Sequence, residues 1–152
     1  MRFALLCAVA GVVLCCAATA SALDEPENVI KYRQQVMQAL GAHAAAIAAV
    51  VKGEVSFAGN VAAHAESLAA MAKLIPGLFP SGTDDRAFDT RALPKIWQDR
   101  ARFTALAEET ETESARLAEI ALSGDADAIA GQFVKVAKAC GGCHKAFRAE
   151  KK

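Results

Sequence analysis

The chain has 152 residues, and its 17 lysines and arginines balance its 17 aspartates and glutamates, so the formal net charge at pH 7 is zero. This balance gives no electrostatic reason to expect binding to nucleic acid or to an anionic membrane surface. Aromatic residues make up only 6% of the chain, alanine is abundant and no period-two alternation stands out, so the composition favours an all-α fold.

The first 22 residues have the pattern of a secretory signal peptide. Arg2 gives a short positive start, residues 3–18 form an apolar run, and Ala20-Ser21-Ala22 supplies the small residues of a cleavage site. The run is shorter than the roughly 20 apolar residues that a membrane-spanning helix needs. We therefore expect export to the periplasm with cleavage after Ala22, no membrane anchor afterwards, and one mature domain over residues 23–152.

Four amphipathic helices are predicted in the mature chain, from three-four spacing of apolar residues and from their capping and breaking residues. They cover residues 24–53, 57–76, 94–124 and 125–147. A proline-containing loop joins the second helix to the third, and the polar segment 108–114 is expected to be a solvated flank. Two short connections and one long one predict an antiparallel up-down-up-down four-helix bundle, in which the first and fourth helices are neighbours.

The segment Cys140-Gly141-Gly142-Cys143-His144 closes the last helix. C-x-x-C-H is typical of c-type haem attachment, in which the cysteines form thioethers and the histidine takes one axial position on iron. On a helix, these three side chains lie on one face, because neighbours across a turn are three or four residues apart. Export supports this interpretation, since covalent haem attachment takes place outside the cytoplasm.

Two alternatives use the same cysteines. A thioredoxin-like dithiol would need a βαβ context, which the sequence lacks. A zinc site would need a fourth ligand, which His43 or His64 could supply. The other three cysteines lie within the predicted signal peptide, so the mature chain has no disulfide framework.

A second axial ligand to iron would have to come from upstream of the motif. The candidates are Met37, Met71, His43 and His64. Met37 lies on the helix predicted to neighbour the last one, whereas Met71 lies on the diagonal helix. This geometry puts Met37 ahead without deciding the ligand, because methionine is also a common core filler. The two histidines are otherwise expected to be structural or surface residues.

Two arginines are candidates for contacts with the haem edge. Arg33 stands on the core-facing stripe of the first helix, one turn from Met37, so it either meets a haem propionate or extends its guanidinium to water at the bundle end. Arg148 follows His144 by four residues. We expect it to lie on the same helix face and to screen the haem edge from water.

The chain resembles the class II cytochromes c, the cytochrome c-prime superfamily, over essentially all of its mature length. The resemblance rests on the closing CGGCHKAFR and is supported by KYRQ, VKGE, LFP and PKIW, at residues 31–34, 51–54, 78–80 and 94–97. It implies a four-helix bundle with one covalent haem c and its iron, held by Cys140, Cys143 and His144.

Within this superfamily, the residue fifteen positions before the lysine of the K-G-E segment divides the members. An apolar or aromatic residue there leaves the iron five-coordinate and high-spin, whereas a methionine ligates iron in the low-spin five-fifty-six type. Counted back from Lys52, the residue is Met37. The resemblance therefore favours the low-spin type, with Met37 as the second axial iron ligand.

We accordingly predict a periplasmic one-electron carrier, not an enzyme, which exchanges electrons with redox partner proteins that the sequence does not name. The alternative is a high-spin cytochrome c-prime that binds nitric oxide or carbon monoxide on an open distal face. The resemblance also allows two copies to pair through the first and second helices.

Overall fold

The structure, a computed structural model, describes residues 25–86 and 88–150. The α-helices of these residues are α1 (Pro26–Val51), α2 (Val61–Ala72), α3 (Lys95–Gln98), α4 (Arg100–Ala121) and α5 (Ala126–Phe147). Short 3-10 turns precede and follow α2, at Ala58–Asn60 and Ile75–Leu78. The four longer helices form an antiparallel up-down-up-down bundle, which confirms the predicted fold class.

Helices that follow one another in the bundle lie side by side. α1 contacts α2, α2 contacts α4, α4 contacts α5, and a slighter contact between α1 and α5 closes the ring. The first and last helices are therefore neighbours, as predicted, and α2 is diagonal to α5. Because α1 and α5 touch so little, space remains between them.

The helix ends agree with the sequence at several points. α1 starts with Pro26 in its first turn, and residue 24, where the first helix is predicted to begin, lies outside the described residues. The Asp125 carboxylate caps α5 by accepting hydrogen bonds from the backbone N–H groups of Asp127 and Ala128, both at 3.0 Å. Gly53 and Gly124 follow α1 and α4 with φ of 72° and 70°, a conformation that favours glycine.

The prediction of a single helix over residues 94–124 is wrong. Asp99 leaves the helical region, with φ −124° and ψ 57°, and separates α3 from α4. Its carboxylate accepts a hydrogen bond from the Arg102 backbone N–H at 3.4 Å, so it acts as the cap of α4. A short aspartate side chain competes for backbone donors in this way and so favours helix starts over helix interiors. α2 is also shorter than predicted, since it ends at Ala72.

The apolar core consists of two clusters along the bundle axis. Near the long loop, Phe79, Phe103 and Phe147 stack edge to face, with ring centroids 4.8 and 5.5 Å apart. Towards the other end, Ile47, Leu68, Leu117 and Val136 pack together. Cys143 packs against the first cluster and Cys140 against the second, so the C-x-x-C pair lies where the two clusters meet.

Among the helices of residues 25–86 and 88–150, none combines the length and the apolar character needed to cross a bilayer.

Candidate haem-binding site

A cavity of about 580 Å³ lies among α1, α4 and α5 and is lined mainly by apolar side chains. Its size is within the range of protein sites for cofactors and drug-sized ligands. All six residues that the sequence analysis assigned to haem or iron line it: Arg33, Met37, Cys140, Cys143, His144 and Arg148. The fold therefore brings residues of α1 together with residues of α5, as the motif and the resemblance predict.

The α5 side of the cavity carries two free thiols, both half-buried. Burial raises the pKa of the Cys140 thiol. The pKa of Cys143 is raised to about 11, first by burial and then by the neighbouring Cys140. Redox-active dithiols instead need a lowered pKa, because the thiolate is the reactive form. These thiols stay protonated at neutral pH, which argues against the dithiol alternative and keeps them from oxidising quickly.

His144 lies one helical turn beyond Cys140 and is half-buried. Its pKa is lowered, chiefly by burial and further by the positive charges of Arg148 and Arg91. The ring is therefore neutral at neutral pH. Neutral imidazole has the lone pair that binds a metal, so His144 is in the form that an axial iron ligand requires.

Backbone hydrogen bonds join the chain after His144 to residues 91–93. The Leu93 N–H donates to the Phe147 carbonyl oxygen at 3.0 Å, and the Ala149 N–H donates to the Arg91 carbonyl oxygen at 2.8 Å. Arg148 forms an isolated antiparallel bridge with Ala92. These bonds hold the end of α5, and with it His144, against the end of the long loop.

Arg148 does not continue the helix face of His144 as predicted, because α5 ends at Phe147. Its backbone is extended, with φ −121° and ψ 129°, and its side chain is exposed while still lining the cavity. Screening of the haem edge by Arg148 stays a prediction.

Arg33 is buried, with only 3% of its surface exposed. Its guanidinium donates to the hydroxyl and carbonyl oxygens of Thr83 and to the Thr90 hydroxyl, all at 2.9 Å. It also lies over the Phe79 ring, 4.7 Å from the centroid. The interpretation in which Arg33 reaches water at the bundle end is therefore wrong. Within the described residues it forms no ion pair with a carboxylate, so a buried positive charge stands at the edge of the cavity.

Met37 is half-buried on the α1 side of the cavity and packs against the cluster near the loop. Of the four residues considered as second axial ligand, it is the one that lines the cavity in the described part of the chain. His43 and His64 lie elsewhere, where they contact each other at 2.9 Å. The zinc alternative therefore loses the fourth ligand on which it depended.

Ser114 on α4 is a site residue that the sequence pattern did not predict. Most of the polar segment 108–114 is expected to face water, with Thr110 on the core-facing stripe. Ser114 is nevertheless 0% exposed, beside Thr110 at 4%, and both line the cavity. The Thr110 hydroxyl donates to the Leu106 carbonyl oxygen at 2.9 Å, whereas the Ser114 hydroxyl has no hydrogen-bond partner among the described residues. The spacing from Ala107 to Thr110 to Ser114 continues the buried stripe of α4 and is the signal that could have revealed it.

Ser114→Ala is expected to raise the free energy of unfolding by about 1 kcal/mol, because it removes a buried hydroxyl that has lost its hydrogen bonds to water. Urea unfolding of the haem-loaded proteins measures the difference. Ser67→Ala is the matched control, since Ser67 is more accessible on α2 and its hydroxyl donates to the Ala63 carbonyl oxygen. A Ser114→Ala protein less stable than its parent would contradict this account of the hydroxyl.

A bundle with an apolar cavity, two thiols and one imidazole on one helix face defines the class of four-helix haem proteins. The family model for cytochrome C' matches residues 28–148. The chain belongs to the cytochrome c' family, whose members carry a covalently bound haem c. The residues fit such a group, because a neutral imidazole, two reduced thiols and a buried cation without a carboxylate partner surround an apolar space.

Individual relatives support this assignment. The chain is 34% identical over 123 residues to cytochrome c' of Pararhodospirillum photometricum, and the alignment covers 81% of this chain and 98% of that protein. It is 31% identical over 140 residues to cytochrome c-556 of Rhodopseudomonas palustris, with coverages of 86% and 89%.

Solved structures give the same fold. A nitric oxide complex of a cytochrome c prime variant from Alcaligenes xylosoxidans has a TM-score of 0.76 at 30% identity, over 84% of this chain and 98% of that chain. A carbon-monoxide-bound variant of the same protein has a TM-score of 0.75 at 30% identity, with the same coverages.

Proposed function

We propose that this chain is a periplasmic cytochrome c' that binds nitric oxide or carbon monoxide at its haem iron. The observation that carries the proposal is the arrangement of the cavity. His144 on α5 is the one imidazole in the described lining, and the α1 residues of the lining include no histidine or cysteine. The nitric oxide and carbon monoxide complexes of the similar Alcaligenes xylosoxidans protein support it.

Each site residue has a part in this proposal. Cys140 and Cys143 hold haem c through thioether bonds, and the neutral His144 ring binds iron on one side. Arg33 pairs its buried positive charge with a haem propionate, because no carboxylate of the described residues forms an ion pair with it. Bound haem supplies one-electron chemistry and an iron site for small gases. The apolar lining keeps water from the iron.

A second candidate function is the predicted one-electron transfer with Met37 as second axial ligand. The specific observation in its favour is that Met37 lines the α1 side of the cavity, and a relative named cytochrome c-556 supports it. Ligation by methionine and histidine raises the reduction potential of a cytochrome c. In this case iron has no free position, and redox partner proteins are the partners to seek.

The absorption spectrum of the reduced protein, recorded with and without carbon monoxide, tests the proposal. Gas binding at a five-coordinate iron predicts broad high-spin bands that shift when the gas is added. A sharp, split pair of α and β bands that does not change with the gas would refute the gas-binding function and leave electron transfer. The test works on the holoprotein as it is purified.

Export belongs to the same proposal. Residues 1–22 lie outside the described residues, so cleavage after Ala22 is tested by N-terminal sequencing of protein from the periplasmic fraction. A mature chain that begins at Leu23 is expected. Pairing of two copies through α1 and α2 stays a prediction, which sedimentation of the holoprotein would decide.

A further inference from the structure

The chain has three histidines, and the proposed function uses one of them, His144. The other two, His43 on α1 and His64 on α2, are 21 residues apart in sequence, yet their Nδ1 atoms are 2.9 Å apart. Packing of α1 against α2 is therefore what brings them together. Neither lines the haem cavity, so they form a separate pair on the seam between these helices.

The two rings face each other through their nitrogens. Their centroids are 5.2 Å apart, which is close to the nitrogen separation plus one ring radius on each side, and the ring planes are inclined by 58°. This is the geometry of an N–H···N hydrogen bond, in which one Nδ1 donates and the other accepts. The accepting Nδ1 directs a lone pair at its partner.

We propose that His43 and His64 together bind a first-row transition-metal ion, preferentially copper(II), which takes the place of the shared hydrogen. Imidazole nitrogen suits copper, nickel and zinc, and copper(II) is bound most tightly of the divalent ions in this row. The shared proton moves from Nδ1 to Nε2 of the same ring, so both rings stay neutral while both Nδ1 atoms donate their lone pairs to the metal.

The distances make this exchange a small one. Two nitrogens that are each about 2.0–2.1 Å from one metal are about 2.9 Å apart at a right angle and about 3.4 Å apart at the tetrahedral angle. The observed 2.9 Å already matches adjacent positions of a square-planar copper(II) site. The rings need only swing outward until their lone pairs converge. Both side chains are half-buried, so water can reach the remaining coordination positions.

The pair also lies directly behind the wall of the haem cavity. Ala44 follows His43, and Leu68 stands one turn beyond His64, and both of these neighbours line the cavity. A bound metal would cross-link α1 to α2 at this level. It should raise the melting temperature, because a ligand that binds only the folded protein stabilises it.

The test uses ferric haem-loaded protein, because ferrous iron could reduce copper(II). Equilibrium dialysis against copper(II) should find one bound ion per chain, and its electron paramagnetic resonance spectrum should show coupling to two nitrogens. His43→Gln and His64→Gln should each weaken binding about tenfold or more, and the double variant should abolish it. Glu66→Gln, which removes a nearby exposed carboxylate of α2 but keeps both histidines, should leave binding unchanged.

Two outcomes would overturn the proposal. One is the absence of stoichiometric copper binding to the parent protein, and the other is the same binding in the double variant. An unchanged haem spectrum shows that a variant is folded. A glutamine variant that fails this check is replaced by the asparagine variant at the same position, His43→Asn or His64→Asn. The result does not depend on whether haem iron binds a gas, since the copper signal and the haem spectrum are read separately.

Discussion

Met37→Ala in the reduced protein is expected to bind carbon monoxide about tenfold or more tightly than the parent, a gain of about 1.4 kcal/mol. The Met37 side chain lies in the α1 wall of the cavity, on a different helix from His144. If it only packs over the iron, it obstructs the gas; if it ligates iron, the gas must displace it. Removing it therefore favours gas binding in both candidate functions, and a carbon monoxide titration followed by absorption measures the change.

Met71→Ala is the matched control for this experiment. Met71 is also partly exposed, on α2, but it does not line the cavity, so its removal should leave carbon monoxide affinity unchanged. An affinity that stays at the parent value in Met37→Ala would show that Met37 does not stand over the iron. The parent spectrum then separates packing from ligation, since a low-spin parent that becomes high-spin in the variant identifies Met37 as the ligand.

Arg33→Ala is expected to lower the free energy of unfolding by about 3 kcal/mol. The substitution leaves the two buried Thr83 oxygens without the Arg33 donor and removes one of the two donors to the half-buried Thr90 hydroxyl. It also removes the packing of the guanidinium on Phe79. Each buried acceptor left unpaired costs about 1–3 kcal/mol, and part of this sum is offset because a buried cation is itself expensive. Urea unfolding of the haem-loaded protein measures the loss.

Arg102→Ala is the control for Arg33→Ala, since Arg102 is an exposed arginine on α4. It should change stability by no more than about 0.5 kcal/mol, as is usual for surface substitutions. Equal stabilities of the two variants would mean that the hydrogen bonds of Arg33 do not anchor the loop. The proposed pairing of Arg33 with a haem propionate would then lose its support.

Much of the fold could be predicted because local sequence signals mark where the helices begin and end. Pro26 in the first turn, Asp125 at a cap and glycines at 53 and 124 are recognisable without tertiary contacts. The break at Asp99 could not be foreseen in the same way. An aspartate is tolerated inside a helix or at its start, and the long loop that α3 packs beside decides between the two.

Some residues of the site could be predicted from the local sequence, and others depend on tertiary packing. Cys140, Cys143 and His144 are near neighbours in sequence, so one helix period places them on one face. Ser114 and the contact of His43 with His64 depend on how α4 and α2 rotate against the rest of the bundle. Arg33 was correctly singled out as a charge on a core stripe, but its partners Thr83 and Thr90 come from an irregular loop that periodicity does not describe.

The proposed function requires the covalent attachment of haem to α5. Intact-mass spectrometry of natively matured protein, recorded under denaturing conditions, tests this attachment directly. We predict a mass equal to residues 23–152 plus one haem, and the loss of that added mass when Cys140 and Cys143 are both replaced with serine. A parent protein that carries only the mass of its polypeptide would contradict the account.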